Sequence, residues 1–369
     1  MQRRVIISGG GTGGHVFPAI AIADALKDID ASIEILFVGA EGKIEMERVP
    51  KAGYKIEGLW ISGFQRKLSI RNLVFPVKLV YSLLRAINII RKFKPDVAVG
   101  VGGFASGPTL RIAGSMNIPT VIQEQNSYAG VTNRLLAARA TKICVAYDGM
   151  EKFFPQDKLI FTGNPVRQGI LDQQLDRSLA KERLGFEGNS KMVFIFGGSL
   201  GAKAINEAVL HNAEAIAALT GVSIYWQVGK IYYDQYKDSA LSKVNHVQIV
   251  SFVEDMDVAY AAADIVVCRA GALTISELAV LGKAAILIPS PNVAEDHQTV
   301  NSMALVDRDA AILLKDKDAK SDLMGNIADL LNDNDKCLAL SHNVKYFARP
   351  DAAKVIASEI LKLIKQPSI

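Results

Sequence analysis

Cysteine is scarce in this chain: Cys144, Cys268 and Cys337 are the only three, and none falls in a CxxC or Cys/His spacing. Neither a disulfide framework nor a structural metal staple is expected, and a reducing compartment fits. Long apolar runs are missing too. No stretch of about 18 apolar residues is free of charge, so no membrane span is expected. The first apolar run, Val5-Ile6-Ile7, gives way at once to glycine. It is too short for a signal-peptide core, and the protein is expected to stay in the cytosol. Charged residues make up 22% and apolar ones 50% of 369 residues, a globular composition that argues against long disorder. That length is long for one core and comfortable for two domains.

Acids are absent from one stretch. From Arg66 to Lys94 lie eight cations (Arg66, Lys67, Arg71, Lys78, Arg85, Arg91, Lys92 and Lys94), twice the chain's net charge of +4. The remainder is therefore net negative, and the basic block points to an anionic surface or ligand met by one face. Ile70, Leu73, Val74, Val77, Tyr81 and Leu84 form a stripe at helical spacing within it, which predicts a core-facing side. Phe75, Leu79, Leu83 and Ile90 lie partly off that stripe, among cations such as Lys78. Such a set suits docking on anionic lipid or, equally, a buried helix with a basic rim.

Glycine is what the chain has in quantity, and its 29 residues are clustered. Short apolar runs alternate with helix-length amphipathic segments, which reads as βα units and parallel sheets. In the first half the runs are Arg4–Ser8, Ile33–Val38, Val97–Val101, Thr120–Gln123 and Ile143–Ala146. In the second they are Met192–Phe196, Ser223–Val228, Val247–Phe252, Ile265–Cys268, Ala284–Ile288 and Ala311–Leu314. Both halves open alike, Val5–Ser8 running into Gly9–Gly14 and Val193–Phe196 into Gly197-Gly198-Ser199-Leu200-Gly201. The expected fold is α/β: two Rossmann-like, doubly wound parallel-sheet domains, residues 1–163 and 164–349, with a helix in 350–369 crossing back to the first. Ligands in such folds sit beyond the carboxyl ends of the strands, so two domains facing each other would make a deep cleft suited to a two-substrate transfer.

Gly9, Gly11 and Gly14 satisfy GxGxxG, yet the second strand ends Phe37-Val38-Gly39-Ala40, with no good acid for the ribose of a dinucleotide. Five glycines in six residues before His15 suit a cradle in which backbone N–H groups and a helix dipole face a diphosphate. His15 itself could bind phosphate or take a proton from a hydroxyl. Gly102-Gly103-Phe104-Ala105-Ser106-Gly107-Pro108 and Glu124-Gln125-Asn126 follow two further strands of the same sheet. In the second half, Gly197–Gly201 matches GxSxG, the nucleophile-elbow pattern. Either Ser199 is a hydrolase nucleophile, with Asp296 or His297 as later partners, or its neighbouring amides grip a phosphate. Glu277 could accept from ribose hydroxyls or close a capping box with Thr274. Five DxD matches (Asp28/Asp30, Asp255/Asp257, Asp307/Asp309, Asp316/Asp318, Asp333/Asp335) follow no strong strand. They read as cap and turn acids, and no metal is expected.

Taken in order, these motifs closely resemble the MurG family of GT-B glycosyltransferases. The likeness is carried by Gly10–His15, Gly102–Pro108, Glu124–Asn126, Gly163-Asn164-Pro165-Val166-Arg167, Gly197-Gly198-Ser199, Gly271–Glu277 and Asp296-His297-Gln298. The resemblance implies a GT-B fold and an inverting, metal-independent hexosyltransferase without cofactor. It would move GlcNAc from UDP-GlcNAc to the C4 hydroxyl of lipid I in peptidoglycan synthesis, a step of cell wall biogenesis, cell shape and division. Thr12, Gly13, Gly14, Asn126, Arg167, Ser199, Val253, Ala272, Leu273, Thr274, Ile275, Ser276, Glu277 and Gln298 would then belong to the donor site. Gly10, Gly11, His15, Gly103, Ser106, Glu124 and Gln125 would meet the acceptor diphosphate, with His15 as general base. Phe75, Leu79 and Lys78 would touch the inner leaflet at the cytoplasmic face of the bacterial membrane. Cell-wall synthesis proteins are further candidate partners, and nucleic acid is not expected. Two positions depart from the pattern: Leu200 stands where the family often has Gln, and Gln123 where it often has His. A UDP-GlcNAc 2-epimerase, a serine hydrolase through Ser199 and, more distantly, a nicotinamide oxidoreductase remain as alternatives.

Overall fold

Val5, Ile6 and Ile7 are fully buried in the first strand, β1 (Arg4–Ser8). A strand with no inside–outside alternation is one covered on both faces, as in a parallel sheet between two helical layers. The other strands of the first sheet are β2 (Glu34–Ala40), β3 (Lys55–Leu59), β4 (Val97–Gly100), β5 (Thr120–Glu124), β6 (Lys142–Val145) and β7 (Leu159–Phe161). They are parallel and run in the order β3-β2-β1-β4-β5-β6-β7. The chain reverses direction beside β1, and there the loops after β1 and β4 come together. The structure is a computed structural model that describes residues 2–63, 74–172, 174–293 and 296–364.

The second sheet holds β8 (Lys191–Phe196), β9 (Val222–Gln227), β10 (Val247–Val250), β11 (Ile265–Cys268), β12 (Ala284–Leu287) and β13 (Ile312–Leu313). Its order, β10-β9-β8-β11-β12-β13, repeats the first sheet's winding. The chain divides by its contacts into Met1–Arg167 with Arg349–Ile369, and Gln168–Ala348. The returning helix Ala352–Leu361 buries Ala353, Ile356, Ala357 and Ile360 against Val16, Ile20 and Leu26 of the first unit. Lys142 Nζ fastens it to β6 with an ion pair to Glu359 Oε2 at 2.6 Å.

The strands that sequence patterning misses are the two edges of the first sheet, β3 and β7; those of the second, β10 and β13, are read. β3 reads Lys-Ile-Glu-Gly-Leu and is buried only at Leu59. Charges on an edge strand discourage pairing with other chains, and they also erase its apolar signature. β7 is three residues long.

The helix Phe75–Phe93 overturns one expectation. Val74, Val77, Tyr81 and Leu84, read as core-facing, are exposed, as is Val80, with Val77 at 59% and Leu84 at 57%. The buried seam is instead Ser82, Ala86, Ile89 and Ile90, with Leu79 and Phe93 packed beside it. Small side chains at 82 and 86 let the helix lie close to the sheet, so the seam is set by Ser and Ala and not by the largest apolar residues. Ile70 and Leu73 of the same stripe, and the cations Arg66, Lys67 and Arg71, lie outside the described residues. Among the described residues no helix is long and apolar enough to cross a membrane.

Candidate functional site

After β1 the chain turns through Gly9–Gly11 and enters the helix Gly13–Ile29, with Thr12 as its N-cap. The turn is bonded internally. Gly9 N–H donates to Val38 O and Gly10 N–H to Gly102 O, both at 3.3 Å, and Gly11 N–H donates to Glu45 Oε2 at 2.8 Å. Gly10 and Gly11, expected to bind a diphosphate, have therefore already committed their amides. The N–H groups left for an anion are those at Thr12, Gly13 and Gly14, where a helix has no carbonyls of its own to bond. His15 lies one residue further, its Nδ1 3.2 Å from Thr12 Oγ1.

Gly103 has a φ of +83°, and a Cβ there would lie 2.2 Å from Gly10 O. The two glycine turns of the first unit are thus in backbone contact. The His15 ring packs on the same feature: a Cβ on Gly102 would lie 2.9 Å from His15 Nε2 and 3.6 Å from Gln125 Oε1.

Three residues expected at the diphosphate serve the framework instead. Ser106 Oγ is buried and donates to Gly103 O at 2.9 Å. Glu124 is buried and accepts from Asn126 N–H, Asn126 Nδ2, Gly130 N–H and Asn133 Nδ2. A carboxylate so occupied organises its own loop and has no reason to face an anion. Gln125 Nε2 donates to Val101 O at 2.7 Å and also to Gln123 Oε1. Gln123 Nε2 in turn reaches Asn164 Oδ1 at 3.1 Å, and Asn164 Nδ2 returns to Gln125 O at 3.0 Å. Gln at 123 thus supplies both a donor and an acceptor to a closed ring of buried amides. Arg167 stacks on Phe17, 4.5 Å from its ring centroid, next to the start of the helix that carries His15.

In the second unit β8 leads into Gly197–Gly201, closed by Gly201 N–H donating to Gly198 O at 2.9 Å. Gln227 Nε2, at the end of β9, donates to Gly198 O at 3.1 Å and to Ser251 O at 3.2 Å, tying this loop to the next strand end. The following helix, Lys203–His211, begins four residues after Ser199. A nucleophile elbow puts its serine on the strand–helix turn itself, so the GxSxG match lacks the geometry of an elbow. Leu200 points its side chain to solvent.

The helix Ala272–Leu281 follows β11, with Gly271 as its N-cap. Thr274 is therefore inside the helix, and the capping-box reading of Glu277 does not hold. Glu277 is buried and accepts from Tyr260 Oη at 2.9 Å. Burial, and then the Glu277 charge, push the Cys268 thiol well above its ordinary range, which makes it inert. Ser276 Oγ turns back to Ala272 O. Val253, Ala272 and Ile275 are buried and Leu273 half-buried. Gln298 Oε1, at the start of the helix His297–Val306, accepts from Ser290 N–H at 2.8 Å.

Four positions that matter were not singled out from the sequence: Glu45, Gln227, Tyr260 and Arg269. Arg269 Nη1 donates to Ile288 O and Pro289 O and pairs with Asp316, bracing the loops after β11 and β12. Gln227 and Arg269 left a signal, a polar group at the end of a buried run. Glu45 and Tyr260 left none. Among the described residues no group of three or more His, Cys, Asp or Glu side chains is placed to hold a metal ion.

A glycosyltransferase family 28 N-terminal domain model matches residues 5–145, and the family's C-terminal domain model matches residues 192–356. The chain belongs to glycosyltransferase family 28. The UDP-N-acetylglucosamine–N-acetylmuramyl-(pentapeptide) pyrophosphoryl-undecaprenol N-acetylglucosamine transferase of Bacteroides fragilis is 53% identical over 365 residues, 98% of this chain and 96% of that one. The crystal structure of Acinetobacter baumannii MurG superposes with a TM-score of 0.73 at 28% identity, covering 98% of this chain and 99% of that one. A UDP-N-acetylglucosamine 2-epimerase gives a TM-score of 0.67 at 13% identity, covering 100% of this chain and 99% of that one. At that identity the likeness is one of fold alone. As a family 28 member with two doubly wound parallel sheets, the chain has the GT-B fold.

Proposed function

We propose that this chain transfers GlcNAc from UDP-GlcNAc to the C4 hydroxyl of the muramyl-pentapeptide sugar on undecaprenyl diphosphate, with inversion, giving lipid II and UDP. The observation that carries the reading is a whole-length relative of that activity at 53% identity, together with one glycine-rich strand-to-helix turn in each unit. The first unit takes the acceptor. Its diphosphate meets the N–H groups of Thr12, Gly13 and Gly14, where the helix dipole favours negative charge. The second unit takes the donor: Gly197–Gly201 holds the nucleotide's phosphates, and Glu277, oriented by Tyr260, accepts from the ribose hydroxyls.

As UDP departs, positive charge develops at the sugar C1 and negative charge on the diphosphate. Fixed N–H dipoles need no reorganisation to meet the second. His15 is the general base for the acceptor hydroxyl. In its working tautomer Nδ1–H donates to Thr12 Oγ1, the atom 3.2 Å away, and Nε2 is the nitrogen that takes the proton. Arg167, stacked on Phe17, adds positive charge beside the same helix start.

The acceptor's lipid requires contact with a membrane, and the cytoplasmic face of the bacterial cell membrane is the surface this reading needs. Val74, Val77, Val80, Tyr81 and Leu84 form its apolar anchor, with Lys78 and Arg85 beside them. Lys78 Nζ lies 5.3 Å from the centroid of the exposed Trp60, whose ring meets Tyr81 edge-on. Phe75 and Leu79, first expected to touch lipid, give way to these residues because both are partly covered and Leu79 joins the core.

The test is radiolabelled UDP-GlcNAc with a short-chain lipid I analogue in the presence of EDTA. The expected product is the disaccharide lipid, with UDP released only when acceptor is present. Conversion of the donor without acceptor, to the UDP-linked C2 epimer or by water to free sugar and UDP, would favour an epimerase-type reaction and overturn the proposal. Replacing His15 by Ala should abolish turnover while UDP-GlcNAc affinity stays close to wild type.

A further inference from the structure

We infer that Glu45 is a positioning residue for the acceptor diphosphate: a carboxylate from within the chain fills the first half of the glycine turn and thereby sets the N–H groups of the second half for the substrate. The inference rests on the assignment of the acceptor to the first unit.

Glu45 opens the helix Glu45–Lys51 and is 1% exposed. Its Oε2 accepts from Gly11 N–H at 2.8 Å and its Oε1 from Ala40 N–H at 3.0 Å. One carboxylate therefore clamps the turn after β1 to the end of β2. Both donors to it are backbone amides, so amide dipoles meet its charge. Two glycines are needed to seat it. A Cβ on Gly10 would lie 2.1 Å from the Glu45 carboxyl carbon, and one on Gly39 would lie 2.6 Å from its Cγ.

A run of glycines is the most mobile backbone a chain can have, and fixing each residue costs conformational entropy. Ligand binding would otherwise have to supply that ordering. The Glu45 clamp supplies it during folding and holds Gly10 and Gly11 at φ +146° and +91°, so Thr12, Gly13 and Gly14 are presented in one conformation. The carboxylate sits on the β2 side of the turn, and the acceptor's anion is confined to the helix start.

The experiment is steady-state kinetics of the full chain with UDP-GlcNAc and a short-chain lipid I analogue, comparing wild type with Glu45→Gln. The amide keeps the shape but offers one acceptor oxygen to two N–H donors. The expected result is an acceptor KM raised about tenfold, the scale of one charge-assisted hydrogen bond, with kcat and the KM for UDP-GlcNAc within about twofold. An unchanged acceptor KM, or equal shifts in both KM values, would overturn the inference. So would a fall in kcat alone with both KM values kept, since that is the signature of a smaller folded fraction. Should Glu45→Gln fail to fold, Glu45→Asp, which keeps the charge but withdraws it from Gly11 N–H, is expected to show the same split. A wild-type chain that does not turn over the analogue overturns the underlying assignment, and that shows before any variant is made.

Discussion

Tyr260 donates its phenolic hydrogen to Glu277 Oε2 at 2.9 Å, and both side chains are buried in the second unit, behind the loop that follows β11. Under the proposed function Glu277 receives two ribose hydroxyls, which requires one orientation of its carboxylate, and this hydrogen bond helps to set it. Tyr260→Phe removes the bond and little else. It should raise the KM for UDP-GlcNAc about tenfold, leave the acceptor KM alone, and cost about 1 kcal/mol of stability. Kinetics on both substrates and urea unfolding check it. An unchanged donor KM would mean that Glu277 needs no such support.

Gly103 and Gly42 separate two reasons for a glycine. Both have positive φ, +83° and +69°, but a Cβ on Gly103 meets Gly10 O at 2.2 Å while one on Gly42 meets open space. Gly42→Ala should cost about 1 kcal/mol from backbone conformation alone. Gly103→Ala must also push the two glycine turns apart, and about 3 kcal/mol is expected, with acceptor turnover lost. Equal melting points for the two variants would contradict the contact.

Central strands were legible because a parallel sheet buried on both faces writes itself as unbroken Val and Ile, as in Val5–Ile7 and Ile265–Val267. The edges of the first sheet were not, since β3 carries Lys55 and Glu57 where solvent permits them and β7 is only three residues long, whereas β10 and β13 at the edges of the second were read. The glycine turns were legible as turns, but not the division of labour inside them. Sequence spacing shows which N–H groups exist; only geometry shows that those of Gly10 and Gly11 are already bonded to Gly102 and Glu45. The same holds for Glu124, which reads as a polar strand-end group and folds as the hub of its own loop. On the helix Phe75–Phe93, periodicity located the helix but chose the wrong face, because Ser82 and Ala86 bury better there than Val77 or Leu84.

Lys283 predicts an unusual pH response. Burial, and then the neighbouring Arg177, push its pKa down from 10.5 to about 8, while Asp264 opposes the shift. Its Nζ donates to Ala263 O at 2.8 Å. Between pH 8 and 10.5 the unfolded chain keeps a proton that the folded chain has released. The Lys283 contribution to stability therefore rises with pH across that window, against the opposite slope of buried thiols such as Cys144 and Cys268, and it has no such slope below pH 8. Urea unfolding of wild type and Lys283→Met from pH 7 to 10 isolates the effect. The wild type should gain on the variant above pH 8, and a constant difference would refute the burial argument.

The exposed face of the helix Phe75–Phe93 can be tested apart from catalysis. Val80 and Leu84 are solvent-facing and lie one turn apart, beyond the seam formed by Ser82, Ala86 and Ile89. Placing Asp at both costs the folded protein little, because exposed substitutions usually fall within about 0.5 kcal/mol. On a membrane the same change removes two apolar anchors and adds two charges that anionic lipid repels, each apolar carbon being worth about 0.8 kcal/mol when buried. Val80→Asp with Leu84→Asp should thus weaken binding to anionic vesicles by at least about tenfold. Turnover of a short-chain, water-soluble acceptor should be unchanged, because neither residue touches the glycine turns. Phe75→Ala with Leu79→Ala should do the reverse, lowering the melting point through lost packing while vesicle binding by the folded protein persists. If the Asp pair bound vesicles as well as wild type, the face would have to be assigned to something other than lipid.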